Sequence, residues 1–167
     1  LMNLAKEINE KKNLLLNKGN FISLIIILLI FLLDRYSKIE IIDKLSDNVF
    51  FINTFLNFDL IWNTGVGFGL LSFNSPVIYN AISATIGLVI LILLFMSFTL
   101  KNPDKIIISV IAGGAAGNFY DRLIYNAVPD FIDLHYVNFH WFTFNVADIF
   151  ITLGILTFLL KEFLIKK

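Results

Sequence analysis

The feature that most constrains the fold is an apolar run from Pro76 to Leu100, which contains no charged residue. Its 25 residues exceed the roughly 20 that an α-helix needs to cross the hydrocarbon core of a bilayer. Proline is well suited to the first turn of such a helix. Hydrophobic residues make up 57% of the chain and charged residues 16%, against about 45–50% and about 25% in soluble domains. We therefore expect a membrane protein.

Three further apolar segments extend this interpretation to a bundle. The 167 residues are predicted to form one domain with transmembrane helices at about 21–40, 76–100, 106–125 and 146–165. Long connections at about 43–75 and 126–145 follow the first and third spans. In the first connection, partial alternation of polar and apolar residues predicts short strands that end in a glycine turn at Asn63–Gly69. The predicted fold class is an all-α membrane protein with four transmembrane helices and a small extracytoplasmic β-element.

The distribution of lysine predicts the orientation. The N-terminal tail, the turn at 101–105 and the C-terminus carry most of the lysines, whereas 126–145 has neither Lys nor Arg. By the positive-inside rule, both termini are cytoplasmic and both long connections face outward. The tail at 1–20 fits either a surface-bound amphipathic helix or a frayed end. This orientation gathers one set of polar residues at the outer leaflet: Asp34, Lys38, Asn63, Asn118, Arg122, Asp130, Asn145 and Asp148.

Two polar pairs within the predicted spans have helical spacing. Asp34 and Lys38 are four residues apart and share a helix face, as do Asn118 and Arg122. Both pairs are candidates for supporting a functional site. For Asp34 and Lys38, the alternative is that they simply mark the end of a helix. An arginine in the outer part of a span needs partners, and carboxylates are the natural ones.

Glycine has two different uses in the chain. Gly113 and Gly117 form a small-xxx-small pattern that lets another helix approach closely. The turn that begins Asn63-Thr-Gly65 lacks the lysine of a phosphate-binding loop. It fits a loop that positions Asn63 against a peptide, or a plain hairpin turn.

Asp130 and Asp148 are the candidate catalytic residues. If Asn145 is the N-cap of the last helix and Asp148 its third residue, helix capping alone accounts for both residues. It does not account for Asp130. If the two carboxylates meet, they share one proton, because like charges at short range do not both ionise. The ionised group then activates a water while the protonated group polarises a peptide carbonyl, which is aspartic peptidase chemistry.

Other site types have weaker support. His135 and His140 are five residues apart, whereas helical zinc pairs use i and i+4, so no metal site is expected. No organic cofactor is expected either. Ser37 beside Lys38 is a weak Ser–Lys pair, since adjacent helical residues point apart. The chain has no cysteine and zero net charge, which disfavours thiolate sites and nucleic acid partners.

Two other protein classes remain open at this point. A transporter or channel would use Asp130, Asp148 and Arg122 as an ion relay and would need polar groups through the membrane depth. A non-catalytic scaffold would pack through the face of Gly113 and Gly117 and would tolerate asparagine at position 130.

Nearly the whole chain resembles the lipoprotein signal peptidases, the signal peptidase II family. The resemblance rests on five ordered motifs: Asp34-x-x-Ser37-Lys38, Asn63-x-Gly65-x-x-Phe68-Gly69, Gly113-Gly114-x-x-Gly117-Asn118-x-x-Asp121-Arg122, Asp130-Phe131-Ile132-Asp133 and Phe144-Asn145-Val146-Ala147-Asp148.

The resemblance implies a four-helix membrane aspartic endopeptidase that cuts prolipoproteins before a cysteine already carrying a diacylglyceryl group. Asp130 and Asp148 match the family's catalytic pair, and its other polar site positions are matched by Asp34, Lys38, Asn63, Gly65, Asn118, Arg122 and Asn145. The family's small outer sheet corresponds to 46–75. The expected partners are lipid-modified precursors and membrane lipid, and a monomer is expected.

Two residues depart from the family pattern. Asn126 stands where glycine is usual, and Asn tolerates the left-handed conformation that a turn needs there. Pro129 stands where a small aliphatic residue is usual, and it removes one backbone donor just before Asp130.

Overall fold

The computed structural model describes residues 17–45, 49–65, 76–137 and 139–165. Most of the tail at 1–20 and the second part of the glycine turn, including Phe68 and Gly69, lie outside this part of the chain. In chain order, the elements are helix α1 (Lys18–Lys44), strands β1 (Phe50–Asn53) and β2 (Leu56–Asn63), helices α2 (Pro76–Thr99) and α3 (Asp104–Tyr125), strands β3 (Val128–Tyr136) and β4 (Phe139–Phe144), and helix α4 (Val146–Ile165).

The expectation of a mostly helical chain with a small sheet is confirmed. One described helix, Pro76–Thr99, is long and apolar enough by itself to cross a membrane. The other helices carry charged residues within their length, so the arrangement with four spans stays a prediction at this point.

The polarity of the helices is inverted relative to a water-soluble protein. Their outer faces expose large apolar side chains, such as Leu29, Phe95 and Leu160. Their inner faces bury charged side chains, and Asp34, Lys38 and Asp121 are among the largest fully buried ones. Contiguous exposed apolar surface of this kind is costly in water, whereas it suits contact with hydrocarbon.

α3 packs against each of the other three helices. Cβ atoms added at Gly113 and Gly117 would both meet α1, the first lying 3.0 Å from the main-chain oxygen of Ile27 and the second against the carboxylate of Asp34. The predicted close approach along this glycine face is therefore confirmed. Helix α3 ends at Tyr125 and is capped by Asn126, whose φ of 53° is left-handed, so the asparagine keeps the turn as expected.

The sheet is antiparallel with the strand order β1-β2-β3-β4. The prediction placed its strands only in the first connection, which was incomplete, because β3 and β4 come from 126–145. Register shifts between Phe51 and Asn53 and between Phe58 and Ile61 interrupt the ladders. These irregularities explain why alternation in the first connection does not separate cleanly, since each extra residue exchanges the two faces of a strand. The pairing of β2 with β3 joins the two connections into one unit.

Candidate active site

The structure brings Asp130 and Asp148 to one cavity of about 270 Å³. Asp130 lies on β3, whereas Asp148 lies in the first turn of α4. The cavity is lined by Asn63, Asn118, Arg122, Val128, Asp130, Asp148, Ile151, Thr152 and Ile155. Five of the nine predicted site residues therefore share this lining.

Two asparagine side chains hold the Asp130 carboxylate. Asn63, the last residue of β2, donates from Nδ2 to Oδ2 over 2.8 Å. Asn145 donates from Nδ2 to Oδ1 over 2.6 Å. Because both donors are amides without charge, they orient the carboxylate while contributing less to its ionisation than a cation would.

Asp148 is held by the expected helix cap and by one further amide. Its Oδ2 accepts from the main-chain N–H of Asn145 over 3.1 Å, and its own N–H donates to Oδ1 of Asn145 over 3.1 Å. This reciprocal capping box confirms the predicted N-terminus of the last helix. Asn118 donates from Nδ2 to Oδ1 of Asp148 over 2.8 Å. Asn145 therefore contacts both carboxylates and fixes their relative position.

Burial, and to a smaller extent the negative charge of Asp148, raise the pKa of Asp130 from its ordinary value of 3.8 to about 7. The hydrogen bonds from Asn63 and Asn145, and more remotely Lys38, oppose this rise. The outcome is a carboxyl group that titrates near neutral pH, as a general acid or base requires. Since the two carboxylates are coupled, this titration belongs to the pair.

Lys38 anchors the cluster beneath the pair. Its ammonium group donates to Asp34 over 2.8 Å, to Asp121 over 2.7 Å and to Oδ1 of Asn118 over 2.8 Å. All three donors of the group are therefore used, and the Asp34–Lys38 pair forms with the predicted spacing. The remaining oxygen of Asp34 accepts from the N–H of Ala147 over 3.0 Å, which ties α1 to the start of α4.

Arg35 and Asp121 belong to the same cluster, although the sequence analysis gave neither a role in the site. The guanidinium Nη1 of Arg35 lies 2.6 Å from Oδ1 of Asp121, and the group also stacks 5.0 Å above the ring of Tyr120. The buried cluster thus contains two cations and two carboxylates and is electrically neutral. Its members are Asp34, Arg35, Lys38 and Asp121. The role of Asp121 could have been predicted from its spacing, because it lies three residues after Asn118 and therefore on the same helix face.

The expectation that Arg122 pairs with carboxylates was wrong for the contacts described. Its Nη2 donates over 2.8 Å to the main-chain oxygen of Gly65, whose N–H donates over 2.8 Å to Oδ1 of Asn63. Arg122 therefore fixes the turn that carries Asn63, which in turn holds Asp130. A main-chain carbonyl satisfies a guanidinium donor without adding a further buried charge.

A second, apolar cavity of about 350 Å³ adjoins the first. Asp148 and Thr152 line both, and the second is completed by Leu134, Phe142, Phe144, Ile149 and Leu153. A carboxylate at the boundary of polar and apolar cavities suits a substrate with a reactive polar bond beside an apolar group.

Ser37 is not paired with Lys38. Its hydroxyl donates over 2.8 Å to the main-chain oxygen of Asp34 on its own helix. Candidate metal ligands lie elsewhere, at Asp133, His135 and His140 on the hairpin of β3 and β4.

The fold and the Asp130–Asp148 pair at one cavity define a helical protein with a small sheet, of the class represented by bacterial membrane enzymes of known structure. Two such structures, solved by the in meso method at 2.3 Å and 1.9 Å, are similar to this chain with TM-scores of 0.66 and 0.66. Their sequence identities are 30% and 26%, and the likenesses cover 87% and 84% of this chain and 91% of each structure.

Sequence comparison gives the family. The profile described as Signal peptidase (SPase) II matches residues 26–164. A lipoprotein signal peptidase of Pelagibacter ubique is 49% identical over 148 residues, which are 87% of this chain and 89% of the relative. That of Aquifex aeolicus is 38% identical over 154 residues, which are 90% and 91% of the two chains. The chain therefore belongs to the signal peptidase II family, and the resemblance seen in its motifs is confirmed.

Proposed function

We propose that this chain is a membrane aspartic endopeptidase that removes the signal peptide from diacylglyceryl-modified prolipoproteins, cutting before the lipidated cysteine. The observation that carries the proposal is the meeting of Asp130 and Asp148 at one cavity, with the pKa of Asp130 raised to about 7. Relatives named lipoprotein signal peptidase support the choice of substrate.

In the proposed mechanism the pair holds one proton. Asp130 carries it, because burial and the negative charge of Asp148 raise its pKa to about 7 despite the opposing hydrogen bonds from Asn63 and Asn145. Asp148 accepts hydrogen bonds from a main-chain N–H and from Asn118, and it acts as the base that takes a proton from the attacking water. Protonated Asp130 polarises the scissile carbonyl while the water oxygen bonds to its carbon. The C–N bond then breaks as Asp148 passes its proton to the leaving nitrogen, which returns the pair to its starting state.

The apolar cavity explains how a lipid-bearing substrate reaches the carboxylates. Its walls are formed by side chains of β3, β4 and α4, including Leu134, Phe142 and Leu153, and Asp148 is part of its lining. An apolar part of the substrate in this space places the adjoining peptide bond at the polar cavity. We assign the diacylglyceryl side of the cleavage site to this apolar space.

The proposed location is the cytoplasmic membrane, with spans at about 21–40, 76–100, 106–125 and 146–165, both termini cytoplasmic and the site at the outer leaflet. The apolar exteriors of the helices and the membrane origin of the similar solved structures support it. The sheet of β1 to β4 then lies outside, beside the headgroups, where its exposed Trp62 and Trp141 are well placed.

A relay through the membrane is disfavoured by the described core. The cluster around Lys38 at one end of α3 and the polar contacts of Lys105 at the other end are separated by buried apolar residues. These are Ile27, Ile30, Ile108, Ile111 and Ala112. An ion pathway requires polar groups along its length, so peptidase chemistry fits the arrangement better.

The test is cleavage of a diacylglyceryl-modified precursor peptide by purified protein in detergent. Asp130→Asn and Asp148→Asn are expected to lower kcat by about 10²–10⁴, the usual contribution of a general acid or base. Asp59→Asn on β2 is the matched control, because Asp59 does not line the cavity and should keep cleavage near the parent level. Cleavage at the parental rate by either cavity variant would remove that residue from the mechanism.

A further inference from the structure

We propose that Asp133, His135 and His140 form a binding site for a divalent transition metal, best suited to zinc, on the hairpin of β3 and β4. The coordinating atoms of these three side chains lie within 4.8 Å of one another. The inference is independent of the proposed peptidase activity, since none of the three residues lines the cavity of Asp130.

The spacing of the two histidines has a different meaning on strands than on a helix. The expectation of no metal rested on the spacing of helical ligand pairs, which does not apply here because both histidines lie in β-strands. His135 and His140 are direct cross-strand partners, and their rings stack with centroids 5.3 Å apart. Asp133 precedes His135 by two residues, so strand alternation places both on one face of β3.

The distances match those between ligands of one zinc ion. Nδ1 of His140 lies 2.8 Å from Oδ2 of Asp133, and Nδ1 of His135 lies 3.4 Å from the same oxygen. Tetrahedral zinc with bonds of about 2.0–2.1 Å separates its ligand atoms by about 3.3 Å. Only small side-chain rotations are therefore needed to place one ion between the three groups.

Burial distinguishes this cluster from an ordinary surface pair. The side chains of Asp133 and His135 are 3% and 6% exposed, whereas that of His140 is 58% exposed. Nδ1 of His135 is buried without a hydrogen-bond partner among the described residues, although it faces the Asp133 carboxylate. Such a nitrogen costs free energy if it stays unpaired, and a metal ion satisfies it. The exposed side of His140 leaves a fourth position open to water.

The donor chemistry selects the class of ion. Two imidazoles and one carboxylate suit zinc and its neighbours in the first transition row, whereas calcium and magnesium prefer oxygen ligands alone. The chain has only these two histidines and no cysteine, so no imidazole or thiolate elsewhere competes.

A metal at this position would connect β3, which carries Asp130, with β4, which precedes the helix that carries Asp148. β3 carries Asp130, three residues before Asp133 and therefore on the opposite face of the strand. β4 leads directly into Asn145, whose side-chain amide donates to the carboxylate of Asp130 and whose main-chain N–H donates to that of Asp148. Because binding to the folded state stabilises it, the ion is expected to hold the hairpin in register on the side away from the cavity.

The test is calorimetric titration with zinc chloride of protein purified in detergent without a polyhistidine tag, with cobalt absorbance as a second readout. The parent should bind one ion per chain, show the visible bands of cobalt with nitrogen ligands, and unfold on the order of 5 °C higher in saturating zinc. His140→Gln, an exposed change that leaves the fold intact, should weaken binding at least about tenfold. Asp133→Asn should do the same.

Asp130→Asn is the matched control, since it removes a carboxylate from the same strand but from the other face. It should keep zinc binding at the parental level. The proposal fails if the parent binds no zinc saturably, or if His140→Gln binds as tightly as the parent. It also fails if Asp130→Asn abolishes binding while His140→Gln retains it, because the ion would then lie at the carboxylate pair.

Discussion

Replacing Lys38 by methionine tests whether the buried cluster supports the fold. The ammonium group lies 2.7–2.8 Å from one oxygen each of Asp34, Asp121 and Asn118, and all of its donors are used. At an effective dielectric constant of about 20, each charged contact contributes roughly 6 kcal/mol of Coulomb attraction before the cost of dehydration. Methionine fills similar volume but leaves the cluster with one uncompensated negative charge.

Breaking a buried ion pair from one side costs about 3–5 kcal/mol. For a chain of this size, each kcal/mol lowers the unfolding midpoint by about 2–4 °C, so Lys38→Met should lower it by roughly 6–20 °C. Thermal unfolding in detergent, followed by the fluorescence of Trp62 and Trp141, measures the change.

The chain offers a matched control on the same helix. Lys44 pairs with Glu40 at the same i,i+4 spacing, but the side chain of Lys44 is exposed to solvent. Because exposed pairs contribute little to stability, Lys44→Met should leave the midpoint within about 1 °C of the parent. The double variant Lys38→Met/Asp121→Asn restores neutrality and should unfold at a higher temperature than Lys38→Met alone. Equal effects of the two lysine variants would refute the reasoning.

Two further predictions concern the site. Asp148→Asn removes a negative charge that disfavours ionisation of Asp130. The pKa of Asp130 should therefore fall below about 7 yet stay above 3.8, because burial remains. Infrared titration of the protonated carboxyl group measures this pKa, and an unchanged value would contradict the coupling of the two carboxylates. Gly117→Ala should lower stability by about 1–3 kcal/mol in thermal unfolding, despite the better helix propensity of alanine, since the new methyl group meets the carboxylate of Asp34. Gly87→Ala, whose methyl group meets only the edge of an aromatic ring, should cost less, and the opposite order would contradict the packing argument.

Local patterns in the sequence predicted much of the site. The uncharged run from Pro76, the spacing of Asp34 and Lys38, and the cap of Asn145 on Asp148 all depend on residues within one helical turn or one helix. Such features follow from the periodicity and from the unpaired N–H groups at a helix start.

Contacts between distant segments could not be read in this way. Asp121 stands beside Arg122 in the sequence, yet its partner Lys38 lies 83 residues away. Arg122 binds a carbonyl of Gly65, and main-chain oxygens leave no trace in the residue types of a sequence. The strands of 126–145 were missed because β3 is buried along most of its length and β4 is exposed along most of its length, so neither shows a clear alternation.

The two histidines show how the assumed secondary structure changes a chemical interpretation. Five residues of separation would place them on different faces of a helix, but across the hairpin it makes them neighbours. The expectation of no metal site therefore rested on comparing the spacing of His135 and His140 with that of helical ligand pairs.

The glycines of α3 limit how this helix can change over evolution. A methyl group at Gly114 would lie 2.7 Å from the main-chain oxygen of Ala147 on α4. A methyl group at Gly117 would instead contact the carboxylate of Asp34 on α1. The helix is thus clamped by a backbone on one flank and a carboxylate on the other, three residues apart. Natural variants should keep the smallest side chains at both positions, and larger ones should appear only with compensating shifts of α1 or α4.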